Sequence, residues 1–347
     1  MAMLWFWMVS GVVAIYAVMD GFDFGAGALH LFVARTDRER REVLAAIGPL
    51  WDGNEVWLLA GGGLLFMGFP KVMAAGFSGF YLAMFMVIWT LILRGVAIEF
   101  RSHVADRLWR TFWDAVFACA SMLMPVLLGA ALGNVVRGVP LDGSGFFNIP
   151  LFTHWGVENP VGILDWYTLL TGVLVLATLA GHGALFLAWK TSGPVHDRCL
   201  RAAGPLWAAV AALVLAATLA TARVNPDVYE NLPNAPLAWV GMALFLAGLG
   251  LVAAGLRLKR DLMAFLGSGA FIAGLLAATA GCVWPVMLKS TLDPAFSLDA
   301  YNAASGAYGL RSGLTWWLVG FPVAVGYFVM LFRIHRGKAA AGEGEGY

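Results

Sequence analysis

The side chains of this chain that could do chemistry lie within or beside its first three long apolar runs. Asp20 and Asp23 fall inside the first run, Asp52, Asn54 and Glu55 open the second, and Arg94 lies near the end of the third, with Glu99 just beyond it. Asp20 and Asp23 are three apart, as are Asp52 and Glu55, so each pair shares a helix face. A charge near the centre of a spanning helix costs about 2.5 to 3.5 kcal/mol on insertion scales, so such residues usually face a partner, a cavity or a proton path. One guanidinium among several carboxylates offsets part of that cost and leaves acid in excess, and a carboxyl so placed can take up and release a proton. The chemistry indicated is a proton route or a buried interface role. The plainer reading is a polar plug that fixes helix packing, with Asp52 also favoured by the dipole of a helix N-terminus.

Those residues need elements to hold them, and composition says what kind. The 347 residues are 61% hydrophobic and 12% charged, far more apolar than the roughly 45 to 50% of soluble domains. This is a polytopic, all-α membrane protein. Nine runs reach the length of about 20 residues that a span requires: 5–32, 51–69, 75–98, 113–136, 162–188, 203–222, 236–256, 262–288 and 312–332. Every odd-numbered span is followed by a basic cluster, beginning with Arg35, Arg38, Arg40 and Arg41 and ending with Arg333, Arg336 and Lys338. The positive-inside rule then puts the N-terminus outside and the C-terminus in the cytoplasm. Most tryptophans fall near span ends, where indole anchors at the interface. No basic signal-peptide region precedes the first run, so it is expected to remain as a helix.

Several function classes drop out. A net charge of +1 gives no basic stripe for nucleic acid. Cys119, Cys199 and Cys282 form no CxxC pair, so thiol redox chemistry and a zinc site are not indicated. A haem-bearing bundle needs axial His or Met at membrane depth, and only His182 is well inside a span, with His30 near a span end. His182 reads as a packing or hydrogen-bonded residue. Asp114 and Asp165 start spans and read as helix-dipole or solvated residues.

An internal repeat divides the chain. Gly25-Ala26-Gly27-Ala28-Leu29 returns 156 positions later as Gly181-His182-Gly183-Ala184-Leu185, and Gly48-Pro49-Leu50-Trp51 returns at the same offset as Gly204-Pro205-Leu206-Trp207. Four spans separate the copies, so two parallel four-helix bundles are expected, plus a peripheral ninth helix. The resulting organisation is a first bundle at 1–137, an external loop at 138–161, a second bundle at 162–290, a loop and ninth helix at 291–335, and a disordered cytoplasmic tail at 336–347. The glycines would let helices approach closely. Asp20, Asp23, Asp52 and Glu55 become Leu176, Leu179, Ala208 and Ala211 in the second copy, so the scaffold does not require these acids and their task goes beyond folding.

Asp20-Gly21-Phe22-Asp23-Phe24-Gly25, the run from Gly48 to Trp57, Phe77-Ser78-Gly79-Phe80-Tyr81 and Glu99-Phe100-Arg101-Ser102 resemble subunit II of the cytochrome bd quinol oxidases, including the cyanide-insensitive type. The resemblance spans nearly the whole chain and is most specific in its first hundred residues. It implies a heterodimeric terminal oxidase of the prokaryotic inner membrane that oxidises quinol, reduces dioxygen to water and generates proton-motive force without pumping. Subunit I would carry two b haems, haem d and the quinol site, while this chain would ligate no haem and no metal. Its implied roles are to stabilise the haem subunit, to line routes for oxygen or protons, and to hold a structural quinone or lipid. A very small single-span accessory subunit is a further implied partner. Asp20, Asp23, Trp51, Asp52, Asn54 and Arg94 carry over as a polar network facing subunit I, with Asp52 as proton relay. Glu99 joins the proton-path candidates, and Trp51 and Trp57 are interface or oxygen-access candidates. Glu55 departs from the Gln often found in this motif, so no role transfers to it. Two other classes compete: a proton-coupled secondary transporter of two parallel repeats, and a purely structural assembly subunit.

Overall fold

With no water in the bilayer core to satisfy them, the backbone groups of long apolar runs must bond internally, and helices achieve this. The computed structural model describes residues 1–339, with twelve α-helices in the order α1 (Ala2–Val33), α2 (Asp37–Ile47), α3 (Trp51–Gly68), α4 (Pro70–Gly79), α5 (Tyr81–Phe100), α6 (Arg107–Arg137), α7 (Trp166–Lys190), α8 (Gly193–Val224), α9 (Asp227–Glu230), α10 (Pro236–Arg257), α11 (Asp261–Val283) and α12 (Ala307–Ile334). Eight of them are long and apolar enough to cross a membrane; α3 and α4 qualify as a ninth span only as a pair bent by 119°.

That bend corrects the expected second and third spans. Residues 70–79 form their own helix, and the following span begins at Tyr81, not at residue 75. Pro70 lacks an N–H and drives the preceding residue out of the helical region; Phe69 sits at φ −139°, ψ 62°. Two further stretches expected as loops are helical. Residues 37–47 form α2, started by a Thr-x-x-Glu capping box: Thr36 Oγ1 accepts from the Glu39 N–H at 3.3 Å, and Glu39 Oε2 accepts from the Thr36 N–H at 3.1 Å. The span expected at 203–222 reaches back to Gly193 and carries His196 and Arg198 onto α8.

Helix α1 is central and packs on α3, α6, α7 and α11; α7 packs on α1, α6, α8 and α11, while α5 lies on α6 and α10 on α11. At the α1–α7 crossing a methyl group built on Gly25 would stand 2.7 Å from the Gly183 Cα, so backbone meets backbone there. Along α10 and α11 two glycine series, Gly241, Gly248 and Gly255 against Gly267, Gly274 and Gly281, recur every seven residues and let those helices touch in the same way. Helix α12 is the most peripheral; Trp5 Nε1 donates to its Leu310 carbonyl at 3.2 Å, and Trp57 packs on its Phe321 and Phe328.

At the end remote from α2, the connections interlock. The Val139 N–H donates to Lys289 O at 2.9 Å and the Thr291 N–H to Val139 O at 2.8 Å, beside a hairpin of β1 (Val286–Leu288) and β2 (Leu298–Asp299). At the opposite end the chain after α12 lies on the C-terminus of α7: Lys338 Nζ donates to Ala188 O at 2.9 Å and the Ala339 N–H to Lys190 O at 2.6 Å. Of the tail expected at 336–347, residues 340–347 lie outside the described residues.

Candidate functional site

Three helices meet around Arg94. Tyr16, Asp20 and Asp23 share a face of α1 by their four- and three-residue spacing, α3 presents Asn54 and Glu55 on its first turns, and α5 brings the cation. Arg94 Nη1 donates to Asp20 Oδ1 at 2.6 Å, its Nη2 pairs with Glu55 Oε1, and its guanidinium lies 4.0 Å from the centre of the Phe24 ring. Asn54 Nδ2 bridges two acceptors, Asp23 Oδ2 at 2.7 Å and Met19 O at 3.1 Å. Asp20, Asp23, Asn54 and Arg94 are fully buried, while the Glu55 side chain is 27% exposed. Asp20 Oδ2, Asp23 Oδ1 and Arg94 Nε have no protein hydrogen-bond partner among the described residues. With three carboxylates to one guanidinium, the cluster combines an acid excess with free acceptor positions, which is the arrangement a proton relay needs.

The structure thus brings Asp20, Asp23, Asn54 and Arg94 into one contiguous group. Asp52 and Glu99 lie outside it: both are exposed, Asp52 on the outer face of the first turn of α3 and Glu99 on the last turn of α5. Trp51 is half-buried against α5, its ring 3.4 Å from where a Gly95 methyl would stand. Trp57 is buried inside the chain between α3 and α12. Glu55, to which no role was transferred, is the member that reaches Arg94 from α3. Its signal was position, one turn deeper into the span than Asp52.

A second polar cluster sits at the α2 end and corrects the expectation for Asp114. Because α6 begins at Arg107, Asp114 is two turns inside it, and it is fully buried. Its oxygens accept from Arg101 Nε at 2.6 Å and Arg40 Nη1 at 2.7 Å, and His30 Nε2 lies 2.7 Å away. Asp165 does cap α7, accepting from the Tyr167 and Thr168 N–H groups at 2.8 Å, but it is buried and ion-paired with Arg137. Neither is a solvated residue. Nearby, both Glu39 oxygens accept from Arg198 at 2.9 Å, tying α2 to α8. That bond, with added N–H donors from Arg35 and Thr36, holds the Glu39 carboxyl down at about 2.

The two buried imidazoles differ in how far they are engaged. His182 Nδ1 lies 2.6 Å from Ser268 Oγ and its Nε2 3.0 Å from Val18 O, while His30 faces Asp114. His182 thus has both ring nitrogens engaged, whereas His30 Nδ1 has no hydrogen-bond partner among the described residues.

Residues 1–335 match the family described as cytochrome bd terminal oxidase subunit II. The chain is 31% identical to Cytochrome bd-I ubiquinol oxidase subunit 2 of Escherichia coli K12, covering 89% of this chain and 87% of that one. It is also 31% identical to Cytochrome bd ubiquinol oxidase subunit 2 of Bacillus subtilis 168, over 97% and 96% of the two. A chain of the bd oxidase structure from Geobacillus thermodenitrificans shares the fold at a TM-score of 0.72 and 17% identity, over 96% of this chain and 98% of that one. The match along nearly the whole length, on a multi-pass helical fold, places this chain in the cytochrome bd terminal oxidase subunit II family, whose members are components of an oxidoreductase complex.

Proposed function

We propose that this chain is the haem-free subunit of a quinol-oxidising, dioxygen-reducing oxidase, and that its Arg94 cluster forms part of a proton route toward the haem-bearing subunit I. The observation that carries this is a buried, acid-rich group lying just beneath an apolar surface. On the outer sides of α3 and α5, Leu59 is 74% and Trp89 58% exposed, which suits a second membrane subunit docked against them. Asp52 at the surface, Glu55 half-way in, then Asp20 with Arg94 and Asp23 with Asn54 form a graded series from exposed to buried. On this reading Asp52 is the entry relay, Trp51 belongs to the subunit contact, and Glu99 lies at the cytoplasmic mouth.

The reading further holds that the N-terminus is outside and the C-terminus cytoplasmic in a prokaryotic inner membrane, so the acids open toward the cytoplasm. Haems b and d and the quinol site belong to subunit I, and proton uptake from the cytoplasm with quinol oxidation outside builds proton-motive force without a pump. A quinone or lipid bound to this chain, oxygen access along it and a small accessory subunit complete the proposal. The two-bundle repeat is supported by matching helix partners: α1 with α3, α1 with α6 and α5 with α6 correspond to α7 with α8, α7 with α11 and α10 with α11. Membership of an oxidase family weighs against the transporter alternative.

The test is a reduced-minus-oxidised spectrum with quinol-driven oxygen uptake, on membranes expressing subunit I with and without this chain. Haem d absorbance and uptake only with both chains supports the reading, and normal assembly and turnover without this chain overturns it.

A further inference from the structure

At the α2 end, a cavity of about 580 Å³ opens between α2 and the start of α6, separate from the Arg94 cluster. Its wall holds five arginines, Arg35, Arg40, Arg101, Arg107 and Arg110, against three aspartates, an excess of two positive charges. The aspartates are already engaged. Asp114 takes Arg40 and Arg101, Asp37 takes Arg101 and Arg110, and Asp106 caps α6 by accepting from the Trp109 N–H at 2.8 Å. Arg101 is 2% exposed, yet its Nη1 has no hydrogen-bond partner among the described residues. A buried guanidinium with an unused donor in a cavity of net positive charge calls for an anionic oxygen.

We infer that this cavity binds the phosphate group of an anionic phospholipid, with Arg101 as the buried donor and Arg35 and Arg107 at the rim. A lipid is favoured over a free anion because the charged wall is continuous with membrane-facing apolar surface. One position round α6 from Arg107 and Thr111, Leu108 is 79% and Phe112 56% exposed, and they offer acyl-chain contact directly beside the phosphate site. A basic pocket beside helix ends on the cytoplasmic face is a general way to hold such headgroups. The inference rests on the proposed reading in one respect, the assignment of this end to the cytoplasmic surface.

The test uses the assembled oxidase in detergent, first shown by its haem d spectrum to be intact, so that loss of the oxidase reading is seen before any lipid is added. Native mass spectrometry then follows binding of short-chain phosphatidylglycerol, phosphatidylcholine and inorganic phosphate to the wild type and to Arg35→Gln/Arg107→Gln. That variant changes only exposed side chains and leaves the Asp114 ion pairs in place. The expected result is one tightly held phosphatidylglycerol, preferred over phosphatidylcholine, with affinity about tenfold weaker in the variant, or about 1.4 kcal/mol. Equal binding of inorganic phosphate assigns the cavity to a free anion and overturns the lipid. Absence of phosphatidylglycerol from the intact complex refutes the inference, and so does equal affinity in the variant, which places the lipid elsewhere.

Discussion

Replacing Arg94 by methionine removes the cation that serves two carboxylates at once. Asp20 is fully buried and Arg94 is its hydrogen-bond donor at 2.6 Å, so it loses its compensation in a fully buried site. Breaking a buried pair by removing one partner costs about 3 to 5 kcal/mol. Glu55 adds little, because at 27% exposure it can turn to solvent, and exposed pairs are worth roughly 0 to 1 kcal/mol. Removing both charges should reverse most of the loss, since apolar replacement of a whole buried pair is often neutral or stabilising. Leucine is the natural choice for position 20, because Leu176 stands at the equivalent place in the second copy. Arg94→Met alone should therefore lower stability by about 3 to 5 kcal/mol, and Arg94→Met/Asp20→Leu should recover at least half of that as a coupling energy. Unfolding of the purified complex would be followed by tryptophan fluorescence, with haem d content as a check on assembly. A single variant within about 1 kcal/mol of wild type, or a double variant as unstable as the single, would refute the reasoning.

Other consequences can be measured on the same preparation. Gly25→Ala should destabilise by about 1 to 3 kcal/mol, because the new methyl meets the α7 backbone, which no rotamer change can relieve. Gly11→Ala on the same helix should be neutral or stabilising by up to about 1 kcal/mol, since nothing lies within 4 Å of its added methyl; equal melting of the two variants would contradict the crossing. Asp114→Asn should cost about 3 kcal/mol or more by leaving Arg101 and Arg40 without their shared carboxylate, seen as a lower melting midpoint. The Glu39 carboxyl lies at about 2 in the fold against an ordinary 4.5, so ionised Glu39 stabilises the folded state. That contribution is complete above about pH 4.5 and is lost as pH falls toward 2. The melting difference between wild type and Glu39→Gln should shrink across that window, and a gap that stays constant would count against the Arg198 clamp.

Most of the spans and the family could be read from the chain because each rests on a local or long-range pattern of residue type. Apolar length marks a spanning helix wherever it occurs, and Asp20 and Asp23 stand out against such a background. Less legible were features set by a single backbone event or by a distant partner. The bend at Phe69 follows from Pro70, a local signal outweighed by the apolar run through it. The Thr36-x-x-Glu39 box announced α2, yet the helix is short and polar and offers no spanning pattern. Asp114 could not be recognised as buried, because its partners His30, Arg40 and Arg101 come from three separate stretches. The seven-residue glycine series of α10 and α11 is visible in the sequence, but its pairing needs the antiparallel register of both helices. Spacing also grouped Asp52 with the buried acids, whereas the turn of α3 sends it outward and Glu55 inward.

The most direct test of the proton-route claim is Asp52→Asn in the complete oxidase, because this side chain is exposed and its neutralisation leaves the buried ion pairs intact. Charge movement and oxygen consumption would be measured in proteoliposomes during quinol oxidation and expressed per haem d. The account predicts normal haem d content with charge movement and turnover slowed about a hundredfold or more, the size expected when a positioned proton-transfer group is lost. Unchanged haem content, turnover and charge movement would contradict it.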